Sequence, residues 1–566
     1  QAQMGDAFSV AVQQGRPCIY GGETGVLYGA YRVLAWKRAG LALPTGEQKP
    51  AFPLRMIDQW DNMDGTVERG YAGKSLLFGN NGFQYQQERI RAYARLLASV
   101  GVNVLCINNV NVIPPAQALL EERFLPEVGT LADIFKPFGI RLMLSVDFAM
   151  PVGCGLQTAD PLDARVQVWW EERVALVYRH VPNLCGFLVK ADSEGRPGPQ
   201  TYGRNHAEGA NLLARALNPF GGTLVWRCFV YQCAQDWRDT HTDRPMAAYA
   251  NFAGLDGCFE KNVILQIKHG PFDFQVREPI SPLLLSMPNT HKALELQLAQ
   301  EYTGQQIDLY AMQGMWNDVF DDLPAENVSA IAAVANTGND PCWTGHPFAQ
   351  LNLFAYGLTA WQPGLSFDSV TRLWARLTYG LSGLALNTLA DLLTASRSVY
   401  EKYTAPLGLC WMVNPGHHYG PSPMGYEYSA WGTYHRADRN AVGIDRTANG
   451  TGYLLQYPAA LRARYQNPAN CPEKLMLFFY RLPYTYRMRD GRTLIQRIYD
   501  DHHEGAKAAE AMLIALRTLR GLLPEPIYIV AEERMLRQRK NAYEWRDVIC
   551  DFFYRLSGIA DENKRL

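Results

Sequence analysis

Short apolar runs alternate with amphipathic stretches between about residues 55 and 338. The apolar runs lie at 54–59, 103–108, 141–146, 185–190, 223–229, 262–267, 293–298 and 330–335, and each has the length of a buried strand. Between them, segments such as QQERIRAYARLLASVG (86–101) repeat apolar residues at helical spacing. Eight such strand–helix units predict an α/β fold in which a parallel sheet closes into a (β/α)8 barrel.

Polar side chains stand where several of these strands end. Lys190, Arg227, Lys268 and Glu301 each lie at, or just after, the carboxyl end of a predicted strand. Active sites of (β/α)8 barrels form at that rim, from several different strands. An open doubly wound sheet would instead gather its ligand groups at one crevice. The spread over strands four to seven favours the barrel.

The pattern changes near the two ends of the chain. Residues 1–50 predict the end of a small α/β domain, and residues 51–364 contain the barrel. Residues 365–566 carry long amphipathic patterns that predict a helical C-terminal domain, for example at 369–383, 506–523 and 532–559. An aromatic loop rich in Gly and Pro (414–447) interrupts them, and its Trp and Tyr content favours a contact role.

Composition excludes some classes of function. Lys and Arg number 54 against 55 Asp and Glu, so the 566-residue chain has no basic field for nucleic acid. No run approaches the roughly 18 apolar residues of a membrane span. The 11 scattered cysteines lack metal-binding spacing and are expected to be reduced, mostly buried thiols. A cytoplasmic protein is expected, unless a signal peptide has been removed.

Three segments place carboxylates beside cations: LVKADSEGRPGP with Glu194, QIKHGPFDFQVREP with Asp273, and LQLAQEYTG with Glu301. Carboxylic groups in one pocket can divide into an acid that protonates a leaving oxygen and a base that activates water, as glycoside hydrolysis requires. Nearby cations would hold the carboxylate of an acidic sugar. Adjacent histidines in GHHYG and DDHHEG lack metal-ligand spacing, so no metal is expected.

Several long motifs occur together, namely GVLYGAYRVL, WDNMDGTVERGYAGKS, KADSEGRPGPQTYGRNHAEGAN, KNVILQIKHGPFDFQVREPISPL, LAQEYTG, WGTYHRAD, GIDRT and PEKLMLFFYRLPYTYRMRDGRTLIQRIYD. On these motifs the chain resembles glycoside hydrolase family 67, the xylan α-1,2-glucuronidases. The resemblance implies inverting release of glucuronic acid or its 4-O-methyl ether from short xylo-oligosaccharides, without metal or cofactor. It also implies a possible homodimer through the C-terminal domain.

The resemblance also assigns roles to residues. Glu194 resembles the general acid, and Asp273 and Glu301 resemble two carboxylates that activate water. The positions that resemble the sugar-binding residues of the family are Lys190, Arg227 and Lys268, which would bind the uronic carboxylate and hydroxyls, Trp60 and Val110, which would form pocket walls, and Trp431 with His435, which would contact xylose.

Other roles suit some of these residues. Asp273 also suits a helix N-cap, and Arg227 and Lys268 also suit ion pairs inside the barrel. Asp192 stands where the family commonly has Asn, and its charge is expected to raise the pKa of Glu194 or to repel the substrate. Two further functions stay open, a carbohydrate-binding protein on a decayed glycosidase scaffold and a retaining glycosidase acting on another sugar.

Overall fold

The computed structural model describes residues 5–43, 45–69, 71–229, 243–425 and 435–565. Its first elements are a three-stranded antiparallel sheet in the order β2-β1-β3 and one helix. Their bounds are β1 Phe8–Gln13, β2 Arg16–Gly21, α1 Glu23–Arg38 and β3 Gly46–Gln48. Phe8 and Val10 alternate on the buried face of β1, as expected for a strand covered on one side.

The central feature is a closed barrel of eight parallel strands. In chain order the strands are β4 Leu54–Gln59, β7 Val104–Ile107, β8 Arg141–Val146, β9 Gly186–Lys190, β10 Thr223–Arg227, β11 Val263–Lys268, β12 Lys292–Gln297 and β13 Ala330–Ala335, with the hairpin β5 Phe78–Gly79 and β6 Gly82–Phe83 after β4. Ala330 pairs with Leu54 and so joins the last barrel strand to the first. The predicted (β/α)8 barrel is confirmed.

Helices connect the barrel strands and lie outside them. They are α2 Gln87–Ser99, α3 Leu125–Phe135, α4 Met150–Gly153, α5 Ala164–His180, α6 His206–Leu217, α7 Ala247–Phe252 and α8 Gln313–Asp322. Capping residues start two of them where the sequence provides the right side chain. Asp163 accepts from the backbone N–H of Arg165 at 2.8 Å, and Asn205 and Glu208 form a reciprocal capping box.

The barrel separates two apolar cores. Residues on one face of each strand, such as Ile57 and Leu105, pack against the helices. Residues on the other face, such as Met56, Val104 and Met143, fill the barrel interior. Alternation between two buried faces explains why these strands are nearly continuously apolar.

The C-terminal region is helical, as predicted. Helix α9 Gln350–Trp361 follows the last barrel strand. The helices of the C-terminal region are α10 Phe367–Tyr379, α11 Gly383–Thr404, α12 Ala459–Gln466, α13 Met476–Phe479, α14 Leu494–Arg517 and α15 Glu525–Ser557, with a small strand pair β14 Ala441–Val442 and β15 Leu482–Pro483. Helix α14 packs between α11 and α15. The division of the chain at residues 50 and 364 stays a prediction.

Hydrogen bonds to a buried carboxylate, Asp308, join the helical region to a barrel loop. Asn541 of α15 donates to Asp308 at 2.6 Å, and Tyr403 of α11 donates to it at 3.0 Å. Burial raises the pKa of Asp308 to about 6 against the lowering effect of these hydrogen bonds. The loop that follows β12 is therefore held by two helices from the C-terminal region.

No helix in the described part of the chain is both long and apolar enough to cross a membrane. The cysteines with described positions are all free, and most of them are buried. Buried, unpaired thiols agree with the interpretation made from their spacing.

Candidate active site

A cavity of about 270 Å³ opens at the carboxyl ends of the barrel strands. Lys190, Arg227 and Lys268 are the last residues of β9, β10 and β11, so parallel pairing brings them to one rim. Other predicted site residues also line this cavity, namely Trp60, Val110, Glu194, Asp273 and Glu301. The structure thus brings these eight predicted site residues together in one cavity.

Glu194 lies in the loop after β9 with a left-handed backbone, at φ 50°. The Lys190 ammonium donates to the Glu194 carboxylate. It also donates to Oδ1 of Asn111, at 2.6 Å. Burial opposes ionisation, but the surrounding cations, Lys190 foremost, outweigh it and lower the pKa of Glu194 to about 2. In the free site this carboxylate is ionised.

Asp192 does not act on Glu194 as expected from the sequence. Its side chain turns away from the cavity and accepts from the backbone N–H of Gln200 at 3.0 Å, with Nδ1 of His206 at 3.9 Å. Burial raises the pKa of Asp192 itself. The expected rise in the pKa of Glu194 is therefore wrong, because burial raises this pKa but the cations that face the carboxylate, Lys190 foremost, lower it by more. The alternative, that Asp192 repels the substrate, stays a prediction.

Asp273 is held by two cations and one hydroxyl. The Lys268 ammonium donates to Oδ1, and the Tyr302 hydroxyl donates to Oδ2 at 2.9 Å. Arg244 lies 3.6 Å from Oδ2. Asp273 belongs to a loop without helix and does not serve as an N-cap.

Glu301 follows β12 and is buried among donors from distant parts of the chain. Arg69 donates to Oε1 from two nitrogens, one of them at 3.0 Å, and Nδ1 of His418 lies 2.9 Å from the same oxygen. Gln297 donates to Oε2 at 3.3 Å. Although burial raises the pKa of Glu301, Arg69 and His418 hold it well below its ordinary value.

Arg227 forms a buried ion pair beneath the cavity. Its Nε and Nη2 donate to the Glu295 carboxylate at 2.7–3.1 Å, and both side chains are almost fully buried. Gln266 donates to Oε2 of Glu295 at 2.9 Å. The alternative of an ion pair inside the barrel is thus correct for Arg227, which nevertheless lines the cavity.

We expect Glu295→Gln to destabilise the fold by about 3–5 kcal/mol, because it leaves the Arg227 charge buried without its partner. Guanidinium denaturation would measure the change. Glu260→Gln is the matched control, since Glu260 pairs with Arg215 at 2.8 Å on the surface, and loss of an exposed pair costs at most about 1 kcal/mol. Equal effects of the two substitutions would contradict the importance of the buried pair.

Aromatic and aliphatic side chains complete the walls. Trp60 and Val110 are buried members of the inner apolar core, and the Trp60 ring lies 5.4 Å from the Arg227 guanidinium. The Phe229 ring lies 3.4 Å from the Lys268 ammonium and 5.2 Å from that of Lys190. Aromatic rings therefore lie beside these cations and exclude water from one side of them. In such a setting of lower dielectric constant, the cations attract an anion more strongly.

Sequence reasoning missed part of the lining, namely Asn62, Glu68, Arg69, Asn109, Asn111, Ile113, Arg196, Phe229, Tyr302 and His418. Glu68 is a fourth carboxylate, and burial, followed by the charge of Glu301, raises its pKa. Glu68 and Arg69 lie within WDNMDGTVERGYAGKS, and His418 lies within GHHYG. These motifs were visible in the sequence, but they did not indicate which side chains face the cavity.

Two predicted xylose contacts have different outcomes. Trp431 lies outside the described residues. His435 is buried and contacts the Pro423 carbonyl at 2.5 Å and the Phe552 ring at 5.5 Å. The prediction that His435 reaches over the cavity is wrong, because this side chain packs inside the helical region. In the parts of the chain that are described, no group of three or more His, Cys, Asp or Glu residues is placed to hold a metal ion.

Comparison with known proteins identifies the family of the chain. Residues 41–328 match the glycosyl hydrolase family 67 middle domain, and residues 344–566 match the family 67 C-terminus. The solved structure of a GH138 enzyme targeting pectin rhamnogalacturonan II covers 99% of this chain and 81% of its own at a TM-score of 0.55 and 12% identity, which shows a shared fold only.

Curated relatives are similar over nearly the whole chain. A probable α-glucuronidase A of Aspergillus clavatus is 40% identical over 99% of this chain and 69% of its own length. The α-glucuronidase A of Aspergillus tubingensis is 40% identical over 95% of this chain and 66% of its own. The chain thus spans about two thirds of the length of these relatives. The family resemblance drawn from the motifs is confirmed, and the chain belongs to glycosyl hydrolase family 67.

Proposed function

We propose that the protein hydrolyses the α-1,2 bond between a terminal glucuronic acid, or its 4-O-methyl ether, and xylose in short xylo-oligosaccharides, with inversion. The observation that carries the proposal is the convergence of Glu194, Asp273 and Glu301 with buried cations on one rim cavity. Carboxylates supply acid and base, and the cations suit a substrate that is itself an anion. The curated relatives are named α-glucuronidase A, which supports the release of glucuronic acid.

In this proposal Glu194 protonates the oxygen that leaves with xylose. Its pKa of about 2 in the free site is too low for an acid at neutral pH. A bound uronate would share the positive charge of Lys190 and Lys268 and so raise the pKa of Glu194. The substrate itself would then restore the proton that the reaction needs.

Asp273 and Glu301 would act on the water molecule that attacks the anomeric carbon. Lys268 donates to Asp273 and Arg69 donates to Glu301, and these hydrogen bonds fix the orientation of the two carboxylates. One would accept the proton of the water while the other orients it, and no difference between them selects the base. In inverting enzymes the acid and the base stand about 6.5–9.5 Å apart, which leaves room for this water.

We expect binding of 4-O-methylglucuronate at pH 6 to take up about one proton per site, because the bound anion raises the pKa of Glu194 from its low starting value. Calorimetry in two buffers of different ionisation enthalpy measures this uptake. Glu194→Gln should bind the sugar without proton uptake. Equal uptake in both proteins would contradict the assignment of the proton to Glu194.

The test of function is a proton NMR time course with an aldouronic acid that carries a terminal 4-O-methylglucuronate. Release of the β-anomer before mutarotation would support inverting hydrolysis of the α-bond. Release of the α-anomer first would favour the retaining alternative, in which acid and nucleophile lie only about 5–5.5 Å apart. Binding without release would favour a carbohydrate-binding protein.

The homodimer through the C-terminal region also stays a proposal. Exposed apolar side chains on α14 and α15, among them Ile514 and Ile529, offer a surface for it. An exposed apolar surface of this kind suits association between subunits.

A further inference from the structure

The loop after β11 folds around the side chain of Glu278. Its carboxylate accepts three backbone N–H groups, from Phe272 at 2.6 Å, Asp273 at 3.1 Å and Gln275 at 2.6 Å. These donors flank and include Asp273, one of the two carboxylates proposed to act on water. Glu278 lines a different cavity, of about 90 Å³, and not the sugar cavity.

Two backbone features accompany the close packing of the loop around this carboxylate. Phe274, directly after Asp273, has a left-handed φ of 51°, a conformation that an aromatic residue adopts only when its surroundings impose it. Gly270 lies so close that a Cβ there would meet the Glu278 carboxylate oxygen at 2.4 Å. A glycine is therefore needed for the loop to close on Glu278.

Glu278 forms no ion pair with any residue that the structure describes. The cations around the smaller cavity have other partners: Arg277 pairs with Glu401 and Asp318, and Arg397 also pairs with Asp318. Part of the Glu278 side chain stays accessible from that cavity. Around the carboxylate itself, desolvation raises the pKa of Glu278 to about 7, although the hydrogen bonds from the backbone N–H groups lower it. The carboxylate oxygens of Glu278 thus accept hydrogen bonds from the loop backbone.

We propose that Glu278 is a positioning residue for Asp273, holding the backbone of residues 272–275 so that the Asp273 carboxylate meets Lys268 and Tyr302 in the sugar cavity. The inference rests on the proposed function for its catalytic consequence. The geometric part, support of the loop by a carboxylate, can be tested without turnover.

Glu278→Gln is the informative substitution. Glutamine has the same shape but only one acceptor oxygen, and its NH2 group would face backbone N–H donors. Glu278→Asp keeps the charge and shortens the reach by one methylene. Asp321→Asn is the matched control, because Asp321 lines the same small cavity and is exposed.

Hydrogen exchange followed by mass spectrometry tests the loop itself. In Glu278→Gln, the amides of Phe272, Asp273 and Gln275 should exchange at least about 10-fold faster than in the unaltered protein, because an NH2 group replaces one of the two oxygens that accept from them. Amides of β11 and the whole Asp321→Asn protein should be unchanged. Unchanged exchange in residues 270–276 of Glu278→Gln would overturn the inference, whatever the activity of the protein.

Kinetics on an aldouronic acid test the consequence. A loop displaced by about 1 Å is expected to lower kcat about 100-fold, with KM changed little because Lys190 and Arg227 lie on other strands. Glu278→Asp should recover part of the loss. If the parent enzyme is active and Glu278→Gln has the same kcat, only the positioning role is overturned. An inactive parent enzyme would reject the proposed function, and hydrogen exchange would still decide on the loop.

Discussion

Replacing Glu194 with glutamine is expected to lower kcat on aldouronic acids by about 10²–10⁴-fold, the usual contribution of a general acid. The departing xylose oxygen is strongly basic and needs a proton as the bond breaks. Glutamine keeps the shape of the site but cannot supply that proton. Initial rates of uronic acid release measure the effect, and calorimetry should show that binding of the sugar is retained.

Two comparisons make this result specific for Glu194. A nitrophenyl glucuronide has a leaving group that departs without protonation, so the variant should lose much less activity on any such substrate that the parent enzyme accepts. Asp192→Asn should behave like the parent enzyme, since Asp192 faces the backbone N–H of Gln200 and not the cavity. Full activity of Glu194→Gln on aldouronic acids would exclude it as the acid.

The second large effect concerns the pair that acts on water. Asp273→Asn and Glu301→Gln are each expected to lower kcat by about 10²–10⁴-fold. The double variant should lose little beyond the worse of the two, because both groups serve the same water and such effects are not additive. The three rates would be measured at saturating substrate.

A different outcome would change the assignment of roles. If the two losses multiply in the double variant, Asp273 and Glu301 act on separate steps. If Glu301→Gln stays active, its ion pair with Arg69 is a structural support rather than part of the chemistry. Thermal unfolding of each variant separates loss of activity from loss of fold.

The barrel is largely predictable because its strands are buried on both faces and so stand out as apolar runs. Differences appear at strand ends. Cys228 and Phe229 are buried and apolar, but they lie beyond β10, which ends at Arg227. In contrast, β12 begins at the buried Lys292, whose ammonium donates to the Leu284 carbonyl at 3.0 Å. Hydropathy follows burial, whereas strand bounds follow backbone pairing.

The site was predictable where a motif joins a carboxylate to a nearby cation, as in Lys190 with Glu194 and Lys268 with Asp273. It was not predictable for the partners of Glu301. Arg69 lies 232 positions before it and His418 lies 117 positions after it. No local pattern encodes a contact between such distant residues. The orientation of Asp192 also depends on the fold of its loop and could not be read from its charge.

The partners of Glu301 have a consequence for biosynthesis. Arg69 comes from the first barrel loop, while His418 and the Gly416 carbonyl, which accepts from Arg69 at 2.6 Å, come from the helical region. On the ribosome the barrel strands emerge before residues 416–418, and domains of a growing chain generally fold as units. A nascent barrel therefore lacks the His418 contact to Glu301 and the Gly416 contact to Arg69 until residues 416–418 have been translated and have packed against the rim.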